Sequence, residues 1–437
     1  MGARETALNA LIACRKEAAW SNGILKEYVK RDRLDRRDAA LSARLCYGVL
    51  QNRMKLDFYL GQLLTGKVKN LHPVVRDILH MGLYQLYEMD KIPTSAIVNE
   101  SVTLAKRYSS NVKSAPGLVN AVLRKAADAK GMLQEPRSYV EKYSHPQILV
   151  DMLKEYAGKE NLEPMLKANN DIAPMVIQVN TLKTTTEALQ SELETLGITA
   201  QPHSWMKDCL VLSGTGDLER LQPFQEGKFY VQDCAAKLSV LCAELPENAR
   251  VLDCCAAPGG KSFAAAIAMH GTGSIVSCDI HSHKTSLIEN GAQRLGFDQI
   301  TVCQQDASAF REEWEGAFDA VIADVPCSGY GIIRKKPDIR YKDPETMKDL
   351  PELQLAILEN QSKYVKNGGV LLYSTCTLLR RENESVVEQF LKNHPEFTTE
   401  NLPLPENFPG NTTGMLALFP GQYDTDGFFI CRLRRKV

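Results

Sequence analysis

From about Leu238 to the C-terminus, short apolar runs rich in β-branched residues alternate with amphipathic stretches, and that alternation leaves few architectures open. The strand-like runs are ARVLDCC (249–255), SIVSCDI (274–280), QITVCQQD (299–306), DAVIADVP (319–326), GVLLYSTC (369–376), GMLALFP (414–420) and GFFICRLRR (427–435). Helical patterns begin at Gly260, run up to Leu295, and recur in LPELQLAILENQSKYV (350–365) and ENESVVEQFLKN (382–393). Strand and helix in this rhythm predict a doubly wound sheet, parallel over most of its width, with ligands at the carboxyl ends of its strands.

The first part of the chain follows another rule. From about Ala3 to Ala129 apolar residues recur at three- and four-residue spacing, as in Leu8, Leu11 and Ile12, and β-branched alternation is almost absent. This predicts a helical bundle, punctuated at Ser21-Asn22-Gly23, His72-Pro73, Ile92-Pro93-Thr94 and Ala115-Pro116-Gly117. Residues 174–232 mix strand-like PMVIQVN, a helical TTEALQSELETLG and further short strands, a small α/β insert that lies beyond a connector near Gly131 to Pro146. Three domains are therefore expected: 1–140 all-α, 141–235 linker and small α/β subdomain, and 236–437 a Rossmann-like α/β domain.

Charge divides the same way. Residues 1–130 carry 22 Lys and Arg against 12 Asp and Glu, an excess of +10, which leaves −11 for the remainder of a chain whose net charge is −1. A basic module suits a polyanion, although Arg31, Arg33, Arg36 and Arg37 interleave with Asp32, Asp35 and Asp38 and could equally form a surface of ion pairs. No apolar run approaches the roughly 18 residues of a membrane span, and the charged first twenty residues lack a signal core, which points to the cytosol. MGARET resembles a myristoylation start, but Gly2 reads better as the lead-in to a helix. The twelve cysteines form no CxxC pair or Cys/His cluster, so no metal is expected, and Cys14, Cys46, Cys242, Cys278 and Cys303 read as reduced core residues.

The turn DCCAAPGGK (253–261) joins the first strand of the C-terminal domain to its first helix. Small residues there let a ligand approach the backbone, and a helix amino end offers unpaired N–H groups. Asp279, 26 residues after Asp253, ends the next strand and can accept from both hydroxyls of a ribose. Asp306, ending the third, is placed for an adenine amino group or for a helix cap. NAD and S-adenosylmethionine both suit these features, but the turn lacks the G-x-G-x-x-G spacing that fits a pyrophosphate.

Cys327, in AVIADVPCSGYG (320–331), and Cys376, in GVLLYSTCTLL (369–379), each follow a buried strand and sit in a short polar loop. One such cysteine would read as a buried strand end; two with polar and glycine neighbours suggest chemistry. C5 of cytosine is a weak nucleophile, and a thiolate adding to C6 makes it an enamine carbon. The C5 proton must later leave so that the thiol can be eliminated. Cys376, Cys327 and Asp324 offer a nucleophile, a group for elimination and an acid near ring N3, and Lys261 is the nearest motif candidate for supplying positive potential to a thiol of ordinary pKa ~8.5.

At these residues the chain resembles the RNA cytosine-5 methyltransferases, with Asp324, Pro326, Cys327, Ser328 and Gly329 as the Pro-Cys loop and Ser374, Thr375 and Cys376 as the Thr-Cys loop. The resemblance implies that Cys376 attacks C6, that Cys327 helps release the product, and that Asp324 contacts the cytosine. DNA cytosine methyltransferases use the Pro-Cys thiol as nucleophile instead. By the same resemblance Cys255, Ala256, Ala257, Pro258, Gly259, Gly260 and Lys261 form the S-adenosylmethionine loop, with Asp279 on the ribose, Asp306 on the adenine and Asp324 at the cofactor's edge. IIRKKPDIRYK (332–342) is similar to the segment after the catalytic loop in the RsmB (Sun, or Fmu) branch, which also carries a NusB-like helical RNA-binding domain. That branch implies small-subunit ribosomal RNA as partner, with 16S C967 as the target, and an RNA-binding role for the small α/β subdomain. Cys254, Val325 and Tyr330 depart from the usual Leu, Ala and Thr and put the shape of the base pocket in question. An assembly factor that binds RNA without catalysis accounts for the bundle but not for both thiols.

Overall fold

The computed structural model describes residues 2–16, 21–410 and 414–437, and the chain divides into two compact units. The first comprises residues 1–171 and 333–342, the second 172–332 and 343–437.

The first unit is helical: α1 (Ala3–Lys16), α2 (Ser21–Arg31), α3 (Arg36–Leu63), α4 (Pro73–Glu88), α5 (Thr94–Tyr108), α6 (Ala115–Asp128), α7 (Tyr139–Tyr143), α8 (Gln147–Ala157) and α9 (Lys159–Ala168). Proline in the first turn of α4 and of α6 starts those helices where its missing N–H costs nothing, and Asp35 caps α3 by accepting from the Asp38 N–H at 2.8 Å. The residues at helical spacing, among them Leu8, Leu45, Leu60, Ile78, Leu79 and Leu123, are fully buried in one core. Gly48 lets α3 and α4 close on each other, since a Cβ there would lie 2.1 Å from the Tyr84 ring.

Two features of this unit differ from expectation. It continues past residue 140, because α7 to α9 pack with the bundle where a linker was expected. It also takes in residues 333–342, which follow the Pro-Cys loop in sequence. Arg340 is buried in the unit, donating to the carbonyls of Gln51 (3.1 Å), Tyr143 (3.2 Å) and Asn169 (3.1 Å) and to Asn170 Oδ1 (2.8 Å). Tyr341 donates to the Leu50 carbonyl at 2.8 Å. Burial of so many acceptors around one guanidinium explains why the segment stays with the helices, since removing the cation would leave them unpaired.

The second unit holds two sheets. The smaller contains β1 (Met175–Val179), β2 (Thr199–Pro202), β3 (Cys209–Ser213) and β4 (Phe229–Val231), ordered β2-β3-β1-β4, with α10 (Thr186–Thr195) and α11 (Gln222–Gln225). Its paired strands are all antiparallel. After α12 (Cys234–Leu241) come β5 (Arg250–Asp253), α13 (Gly260–Ala268), β6 (Ser274–Asp279), α14 (Ser282–Leu295), β7 (Ile300–Gln304), β8 (Phe318–Asp324), α15 (Leu350–Ser362), β9 (Val365–Thr375), α16 (Glu384–Asn393), β10 (Phe397–Thr399), β11 (Met415–Leu418) and β12 (Phe428–Arg435). The larger sheet is ordered β10-β12-β9-β8-β5-β6-β7, with β11 also on β12. Strands β5 to β9 are mutually parallel, as the alternation predicts, and β12 pairs antiparallel with β9, β10 and β11. The order reverses between β5 and β8, which puts a switch point, and hence a crevice, above the carboxyl ends of those two strands. Asn180 ties the small sheet to the end of α14, donating to the carbonyls of Gly227 and Leu295 at 3.0 Å each. Among the described residues no helix is long and apolar enough to cross a membrane.

Candidate active site

The turn after β5 is built for close approach. Gly259 has φ +112°, and a Cβ on it would sit 2.4 Å from the Phe263 ring; one on Gly260 would sit 2.9 Å from Gln232 Nε2. α13 then opens with no side-chain cap, so its first N–H groups face the turn. The Ala256 N–H donates to the Cys278 carbonyl at 2.7 Å, fixing Cys255 to Gly260 beside the end of β6. Asp279 there is buried, with Oδ1 accepting from the His281 N–H at 3.0 Å. Asp306 lies just past β7, exposed, with Oδ1 accepting from the N–H (2.9 Å) and hydroxyl (2.7 Å) of Ser308. It therefore caps a turn and not a helix. A glycine cradle, an uncapped helix and acids at the ends of successive strands fit an adenosyl cofactor.

Asp253 closes β5 from inside, accepting from Ser262 at 2.7 Å while Ser277 donates to Ser262 at 2.7 Å. Burial pushes its carboxyl up to about 6, against the lowering effects of Ser262 and Lys261. The folded state thus holds this proton more tightly than the unfolded chain, whose aspartate titrates near ~3.9. Stability from this group is intact below that value and falls as pH rises towards 6, by roughly 3 kcal/mol in all. Asp253→Asn, which keeps an acceptor for Ser262, is expected to remove that slope. Urea denaturation at several pH values between 4 and 7 checks it, and an unchanged slope in the variant contradicts it.

The two thiols meet. Cys327 and Cys376 are half-buried, both free, with their sulfurs 3.2 Å apart. Contact with Cys376, then burial, then the charges of Glu382 and Asp324 hold the Cys327 thiol well above its ordinary value, so Cys327 keeps its proton at neutral pH. Asp324, at the end of β8, accepts from Lys261 Nζ at 2.6 Å through one oxygen and from Ser374 Oγ at 2.8 Å through the other. Lys261 thereby joins the start of α13 to the Pro-Cys loop, and its charge is matched to Asp324 where a thiol partner was expected. Its ammonium also lies 5.1 Å from the centre of the Phe428 ring.

Three residues that the sequence reading passed over hold these loops. Glu382 is fully buried and accepts from the Ser328 N–H at 2.9 Å and from Gln354 Nε2 at 3.0 Å; Gln354 also donates to the Pro326 carbonyl at 2.9 Å. Asn383 accepts from Thr375 Oγ1 at 2.6 Å and donates to the Thr377 carbonyl at 3.1 Å. For Glu382 and Asn383 a polar signal lies in ENE (382–384), just after the Thr-Cys loop at a helix start, though it does not say which loop they hold; Gln354 has none. The three departures from the usual motif prove to be buried positions: Cys254, Val325 and Tyr330 are 2%, 4% and 1% exposed.

Comparison with known proteins follows the same divisions. The NusB family model matches residues 1–128, an RsmF/B-like ferredoxin-like domain matches 145–219, and the model for 16S rRNA methyltransferase RsmB/F matches 240–434. The probable ribosomal RNA small subunit methyltransferase B of Bacillus subtilis (strain 168) is 35% identical, over 99% of this chain and 98% of that protein. The ribosomal RNA small subunit methyltransferase B of Vibrio cholerae is 34% identical over 92% and 90% respectively. Among solved structures, PH0851 superposes with a TM-score of 0.80 at 25% identity over 98% of both chains, and a methyltransferase homologue from Pyrococcus horikoshii with 0.59 at 24% identity over 68% of this chain and 97% of that one.

Proposed function

The chain belongs to the RsmB/F family of 16S rRNA methyltransferases, and from that premise we propose that it makes 5-methylcytosine in small-subunit ribosomal RNA through a covalent bond between Cys376 and C6 of the base, with C967 as the target the resemblance points to. The observation that carries this reading is the 3.2 Å approach of the Cys327 and Cys376 sulfurs beside Asp324.

S-adenosylmethionine, the methyl donor of this family, would be held by Cys255 to Lys261, Asp279 and Asp306 and supplies an electrophilic methyl group. Cys376 forms the S–C6 bond, pushing the C5=C6 electrons to C5, while Asp324, held by Lys261 and Ser374, meets the N3 edge of the ring. Loss of the C5 proton after methylation rebuilds the C5=C6 bond and returns the C6–S electrons to Cys376. Cys327, still carrying its proton, gives it to the departing Cys376 sulfur 3.2 Å away and takes up the C5 proton in its place, so that both thiols are restored. The base must leave its stack to reach the two loops, at a cost of a few kcal/mol. The excess of ten positive charges over residues 1–130 supplies phosphate affinity towards that cost.

Bisulfite sequencing of 16S rRNA from cells with and without the gene tests the product and its position together. One protected cytosine is expected to become convertible in the deletion strain and to regain protection on complementation. An unchanged pattern would overturn the proposal.

A further inference from the structure

Four arginines and three aspartates interleave across the junction of α2 and α3, from Arg31 to Asp38, and the structure shows what each aspartate does. Asp32 accepts from Thr6 Oγ1 at 2.7 Å and pairs with Arg31 at 2.8 Å, its side chain only 3% exposed. Asp35 spends Oδ1 on the amino end of α3. Asp38 forms no ion pair among the described residues. Arg33, Arg36 and Arg37 are exposed and without an ion-pair partner among the described residues, so none of the three is tied to an acid there.

All three stand where stability alone would place something else. Arg33 has φ +51°, the left-handed conformation that closes a helix and favours glycine, with the Leu34 N–H returning to the Val29 carbonyl at 3.2 Å. Arg36 and Arg37 occupy the first turn of α3, where the helix dipole disfavours cations. Three unpaired cations on a rigid turn, each locally unfavourable, in a module with ten excess positive charges, are complementary to closely spaced anions.

We propose that the turn between α2 and α3 is a contact surface for the phosphate backbone of the RNA substrate, carried by Arg33, Arg36 and Arg37. This rests on the reading of ribosomal RNA as substrate and assigns part of its binding to a named surface. Phosphate contacts position an RNA without reading its sequence, so loss of the surface weakens binding to every sequence alike.

The test is the full-length triple variant Arg33→Gly, Arg36→Ala, Arg37→Ala, with protein-free 16S rRNA as probe. The Tm is expected to equal or exceed that of the parent, while the Kd at about 0.15 M salt rises roughly tenfold and the slope of log K against log salt falls by about 1 per arginine. Arg33→Gly alone is expected to raise the Tm and weaken binding together. An unchanged Kd and salt slope in a folded triple variant overturn the surface, including the case in which the patch docks an acidic protein. Parent protein that binds the RNA but transfers no methyl group overturns the catalytic reading and leaves the surface standing.

Discussion

Cys327→Ala protein mixed with ribosomal RNA and S-adenosylmethionine is expected to yield a protein–RNA adduct that survives denaturing electrophoresis, and Cys376→Ala protein to yield none. Cys376 is the sulfur assigned to the bond with C6, so its removal deletes the step that activates C5, and turnover should fall by roughly 10⁴-fold or more, about 5 kcal/mol in barrier. Cys327 acts after that bond exists. Losing a group that moves a proton costs typically 10²–10⁴-fold. The loss falls on elimination, so the adduct accumulates. The asymmetry follows from the roles that the family resemblance gives to two sulfurs lying 3.2 Å apart. The double variant should form no adduct. An adduct in Cys376→Ala and none in Cys327→Ala would exchange the two roles, and full turnover in Cys376→Ala would end the covalent mechanism.

The sulfur pair was legible in the sequence because each cysteine ends a recognisable strand, and parallel strands bring their carboxyl ends to one edge. Residues 320–324 and 370–374 do pair in register, Ala323 beside Tyr373 and Asp324 beside Ser374, which puts Cys327 and Cys376 in adjoining loops. Periodicity also found the bundle, the small sheet except β2, and the large sheet except β10, whose sequences TAQP and FTT hold one apolar residue besides proline each and so carry no apolar run. What periodicity could not show was partnership at a distance. Gln354 belongs to α15 and Glu382 to the loop after β9, and nothing in their local sequence says that both serve Pro326 to Ser328. Residues 333–342 follow the catalytic loop in sequence, yet the Arg340 guanidinium finds its acceptors on α3 and on the turns after α7 and α9. In the sequence Lys261 looks like a source of positive potential for a thiol, but a cation 2.6 Å from a carboxylate is largely committed to it.

Gly331→Ala is expected to damage the same site by crowding alone. Gly331 is not at a positive φ, so alanine meets no backbone penalty there. The obstacle is space: the new Cβ would lie 2.0 Å from the Gly427 carbonyl oxygen and 2.8 Å from that of Cys376. Both are backbone atoms, fixed in turn by Gly331 itself, whose N–H donates to Cys376 at 3.0 Å and whose carbonyl accepts from Gly427 at 2.8 Å. No side chain can rotate away, so relief must come from moving the Pro-Cys loop away from Gly427, just before β12, and from the Thr-Cys loop beside it. Overpacking of this kind costs about 3 kcal/mol, and Tm should fall by about 2–4 °C for each of these. A displacement near 1 Å between groups that must act on one ring costs on the order of 10²-fold in rate. Gly61→Ala is the matched control, because that glycine is exposed inside α3 with nothing within 4 Å of its Cβ position, and it should gain about 0.5–1 kcal/mol. Methyl transfer and thermal melts of the two variants separate the cases. Gly331→Ala at full activity would mean that the two cysteine loops tolerate being moved apart, and the sulfur contact would lose its claim to be the reacting geometry.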